Sequence, residues 1–162
     1  MNTNNAVALE PSSMGVRHAA TNALLTLLLV KNGKVLGEKE IEHLRRAEEL
    51  LKIIVNLSRL DEGKTHEVGE TAGIPVEFLW LKEPAEAVGN ALHTADTPLD
   101  HGSHFLEHLS FKLATIIGQL ERGTDATNGE TALLERFFAS LSNRVLGMAN
   151  KKREKEGNND GD

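Results

Sequence analysis

At 162 residues the chain is long enough for one well-buried core and short for two. Its 18 basic and 24 acidic residues leave a net charge of -6, which disfavours duplex nucleic acid, a partner that calls for a basic face to release counterions. With no cysteine there are no disulfides, thiolate zinc sites or cysteine nucleophiles, and the composition suits a reducing compartment such as the cytoplasm.

Twenty-four leucines against nine valines and six isoleucines, with no tyrosine, favour helices over strands. The pattern predicts an all-α bundle of about five to six helices over residues 13–150. A flexible polar tail (1–12) precedes it and a disordered charged tail (151–162, KKREKEGNNDGD) follows. The first helix runs from about Ser13 to Lys31. Seven of the eight residues from Ala23 to Val30 are apolar, with Thr26 the interruption, so this helix is expected at the bundle centre or in an interface between chains. At about twelve residues its apolar run is short of the roughly 20 that span a bilayer. The first sixteen residues carry no Lys or Arg, so a secretory leader is not expected either. Asn32-Gly33 reads as a glycine helix end, the alternative over residues 24–36 being a hairpin turn.

The second helix, from Glu38 to about Leu60, carries Ile41, Leu44, Ala47, Leu51, Ile54 and Leu57 at three-four spacing, with Glu42/Arg46 and Glu48/Lys52 as outer pairs. Two short helices are expected next, opening at Pro75 and Pro84. A fifth starts at Thr97-Pro98-Leu99-Asp100 and runs to Arg122, ahead of Gly123. The sixth begins near Thr127-Asn128-Gly129-Glu130 and carries Leu134, Phe137, Leu141, Val145 and Met148 on one stripe.

Chemistry-bearing residues crowd into DHGSHFLEHLSFK, where His104 and His108 project from one side of a helix with Glu107 between them. Residues 104 to 112, HFLEHLSFK, resemble the H-x-x-E-H zinc motif of the pitrilysin and mitochondrial-processing-peptidase family. That resemblance implies a metal-dependent hydrolase on an α/β fold, with zinc on His104 and His108 and Glu107 as the catalytic base. GEKEIEHLRRAEELL, with His43, together with His104 and His108 resembles the three-histidine site of DinB/YfiT-like helical bundles, which implies a metal inside the bundle. Helix geometry points elsewhere. At about 100° per residue, Leu106, Leu109, Leu113, Ile116 and Leu120 form one stripe, and His104, His108 and Phe111 fall on roughly the opposite, solvated side.

THEVGETAGIPVEFLWL has the cadence of a helix-turn-helix, with Gly73 at the turn and Val68 and Ile74 as core positions, and resembles the opening module of MerR-like regulators. Its recognition segment offers Glu77 and apolar residues where base edges and phosphates call for Arg, Lys, Asn or Gln. Phe78 and Trp80 there read as core anchors.

The residues favour a non-enzymatic protein-protein interaction, adaptor or assembly module that needs no cofactor and self-associates. Its expected interface residues are Leu24, Leu25 and Leu28 on the first helix and Phe111 on the fifth. A zinc hydrolase using His104, His108 and Glu107 is the second reading, and a helix-turn-helix DNA-binding regulator the third.

Overall fold

The computed structural model describes residues 9–34, 36–60, 76–92, 102–123 and 131–160. They form five α-helices: α1 (Ser13–Lys31), α2 (Glu38–Leu60), α3 (Lys82–Leu92), α4 (Gly102–Glu121) and α5 (Ala132–Asp160). A 3-10 helix, Val76–Leu81, leads directly into α3. Among the described residues there is no strand, and no helix is long and apolar enough to cross a membrane.

Local chemistry sets the helix ends. The Ser12 side chain accepts a hydrogen bond from the Gly15 N–H at 3.0 Å and caps α1. At the other end Gly33, with φ 74°, turns the chain, and the N–H groups of Gly33 and Lys34 return to the carbonyls of Val30 and Leu29. This closure settles the 24–36 alternative in favour of a helix end, because a left-handed residue there completes the last turn. The α2 start uses half of a capping box, the Gly37 N–H donating to Glu40 Oε1 at 2.9 Å. Helix α4 closes ahead of Gly123, and α5 opens behind Thr131.

The two short helices expected at Pro75 and Pro84 form one continuous element. Pro84 occupies the first turn of α3, where a missing N–H leaves no bond unmade, so it does not divide the 3-10 helix from α3. The expected starts at Thr97–Asp100 and Thr127–Glu130 lie outside the described residues.

Helix α1 packs chiefly on α5 and α2, α2 on α4, and α3 fills the space between α5, α2 and α4. The inner stripes of the long helices interlock in one core. Val16, Ala20, Ala23 and Leu27 come from α1, Leu44, Leu51 and Leu57 from α2, Leu106, Leu109 and Leu113 from α4, and Leu134, Phe137, Leu141 and Val145 from α5. Helix α1 therefore lies at the edge of the bundle, with α5 and α2 beside it. Its alanines let the neighbours approach, and Thr26 is buried because its hydroxyl donates to the Asn22 carbonyl at 2.8 Å.

One segment expected as tail, residues 9–12, packs on the fold. Leu9 is buried, and the Trp80 indole N–H donates to the Pro11 carbonyl at 2.7 Å, so residues 9–12 strap across the start of α1 onto the 3-10 helix. A Cβ on Gly15 would lie 2.7 Å from the Glu10 carbonyl oxygen, so glycine is what lets the strap approach. At the other end the helical backbone of α5 runs on through 151–160. Lys, Arg and Glu are good helix formers, and they extend the helix without an apolar stripe.

Candidate functional site: the groove between α2 and α4

Two ion pairs fix how α2 meets α4. Arg45, early in α2, binds Glu121 at the end of α4, and Arg59, late in α2, binds Glu107 near the α4 start, so the helices run antiparallel. Arg45 also reaches Glu42 at 3.2 Å. The Glu121 carboxylate first, and Glu42 after it, hold the Arg45 guanidinium above its ordinary pKa. Glu42 thus pairs three residues along with Arg45, and Lys52 meets Glu48 at 3.9 Å as expected. These pairs are half exposed and set register more than stability.

A groove opens between the two helices. Glu48, Lys52, Val55, Asn56 and Arg59 form its α2 wall, and Glu107, Ser110, Phe111 and Ala114 its α4 wall. Phe111 stands 71% exposed in it, while the stripe on the other side of α4 (Leu106, Leu109, Leu113 and Ile116) is buried. The 100° reading of this helix therefore describes both of its faces.

The same geometry bears on the groups a metal or hydrolytic site would use. Helix α4 is continuous through His104 and His108. His108 is exposed, the His104 side chain lies outside the described residues, and the carboxylate of Glu107 is engaged by Arg59. Glu107 is thereby placed as an acceptor in an ion pair across the groove. His43 belongs to the opposite end of the α2/α4 pair. Arg45 and Arg59 mark those ends and lie about 20 Å apart along α2 at about 1.5 Å per residue, so His43 and His108 do not share a metal. The all-helical fold also departs from the α/β fold that the H-x-x-E-H resemblance implies. Among the described residues, no three His, Asp or Glu side chains come together as a metal-holding group.

The other interface candidates divide. Leu25 is 54% exposed and Leu29 37% exposed on the outside of α1, whereas Leu24 packs on the core and Leu28 is half-buried. Of the helix-turn-helix reading, Val68, Gly73 and Ile74 lie outside the described residues. The would-be recognition segment is the 3-10 helix, which buries Phe78 and Leu81 and exposes Val76, Glu77 and Leu79. Phe78 is a core anchor, and Trp80, half-buried, packs against the core as expected and also anchors the N-terminal strap.

The sequence places Phe111 on the exposed side of its helix and leaves its surroundings unread. Val55 and Asn56 become part of the site only through the α2/α4 register, and that register depends on ion pairs between residues distant in sequence. Comparison with family models, curated proteins and solved structures gives no match to this chain.

Proposed function

We propose that this chain is a non-enzymatic helical assembly module of the cytoplasm, one that works by protein-protein contact and associates with copies of itself. The observation that carries the reading is the exposure of Phe111, 71% on the wall of an open groove. A phenylalanine fully withdrawn from water contributes about 1.5–3 kcal/mol, and aromatic side chains seated in pockets at the centre of an interface supply much of its binding energy. Leu25 and Leu29 on α1 add apolar surface on another helix. Symmetric homo-oligomers are the commonest soluble assemblies, which favours a second copy as the partner.

Because association stabilises only the folded chain, the thermal midpoint depends on protein concentration. Raising the chain from the low to the high micromolar range is expected to lift the midpoint, followed by circular dichroism at the helical minimum. A midpoint that stays constant over that range contradicts the reading.

A further inference from the structure

We propose that the α2/α4 groove is one half of an isologous contact, in which the Phe111 ring of each copy sits in the groove of the other. This rests on the self-association reading and deepens it by naming the surface. An isologous interface meets itself, so its charges must be self-complementary. The groove meets that requirement. Its rim carries two acids, Glu48 and Glu107, and two bases, Lys52 and Arg59, around the apolar Phe111, Val55 and Ala114.

The charges are also distributed suitably. Lys52 lies with Glu48 at one end, and Arg59 with Glu107 at the other. A two-fold turn along or across the groove therefore brings each end of one copy against an end of the other that holds both signs. A chain with net charge -6 repels its own copies, and a charge-balanced face is where two of them approach with the least repulsion. The exposed leucines of α1 lack this property. That helix carries Arg17 and Lys31 and no acid of its own, and Lys31 is paired with Glu135 of α5, so its two ends are not charge-balanced as the ends of the groove are.

The test is sedimentation equilibrium of wild type, Phe111→Glu and Leu25→Glu, with circular dichroism to confirm that each variant keeps its helices. The expected result is a dimer for wild type and Leu25→Glu, and at least about a tenfold weaker dimer for Phe111→Glu. Dissociation by Leu25→Glu with Phe111→Glu still dimeric overturns this inference and leaves self-association standing. A wild type that remains monomeric removes both. A second measurement stands independently of the Phe111 substitution. The chain has no cysteine, so Ser110→Cys provides a single thiol on the groove wall, and a short bismaleimide is expected to join two copies through it. Dimers that Leu25→Cys cross-links and Ser110→Cys does not would overturn the proposal.

Discussion

Phe137→Ala is expected to lower the unfolding free energy by about 3–5 kcal/mol, a large part of the roughly 5–15 kcal/mol available to a domain. Phe137 is fully buried on α5, the helix that α1 and α3 both pack against. Its ring meets that of Phe138 edge to face, with centroids 5.6 Å apart and planes at 77°. Truncation removes the apolar area, leaves a void that rigid helices on several sides cannot close, and ends the ring pair, itself worth about 0.5–1.5 kcal/mol. Urea denaturation followed by circular dichroism checks this, with the midpoint falling and the slope unchanged. A loss below about 1 kcal/mol would mean that the site collapses around alanine, and that this part of the core is looser than the structure shows.

Gly15→Ala is expected to destabilise, against the ordinary sign for that exchange. Within a helix, alanine is favoured over glycine by about 0.5–1 kcal/mol. Here the added Cβ meets the Glu10 backbone, whose carbonyl oxygen is 2.7 Å away, and backbone cannot swing aside as a flexible side chain can. Crowding of this kind costs about 1–3 kcal/mol, so the clash outweighs the propensity gain. The strap over residues 9–12 must lift, and the hydrogen bond from Trp80 to the Pro11 carbonyl lifts with it. Trp80 is the only tryptophan and there is no tyrosine, so the intrinsic emission of the protein reports on the surroundings of this one indole, the strap among them. The emission is expected to move to the red in Gly15→Ala and to stay in place in Met14→Ala, whose side chain is exposed. Unchanged emission together with raised stability in Gly15→Ala would show that the strap is not held where the structure places it.

Helices α1 and α2 are legible from sequence because their signals are local. Gly33 and the three-four stripe from Leu44 to Leu57 lie within or beside the elements they define. The strap is illegible for the opposite reason. Residues 9–12 are polar enough to read as tail, and what holds them is Trp80, far along the chain, and the empty side of Gly15. The apolar run of α1 shows the limit of a periodicity argument. Leu24, Leu25, Leu27, Leu28 and Leu29 look alike in sequence, and only the positions of α5 and α2 decide which are covered. Thr26, the one polar residue among them, turns inward because its hydroxyl finds a carbonyl one turn back. At the candidate site the α4 wall is readable from helix geometry, and the α2 wall waits on a register that no single helix contains.

Sedimentation equilibrium of the unmodified chain across the micromolar range tests the central claim most directly. Self-association predicts data that fit twice the 17.7 kDa chain mass at the upper concentrations and move towards a single chain on dilution. A fit to one 17.7 kDa chain at every concentration contradicts the account.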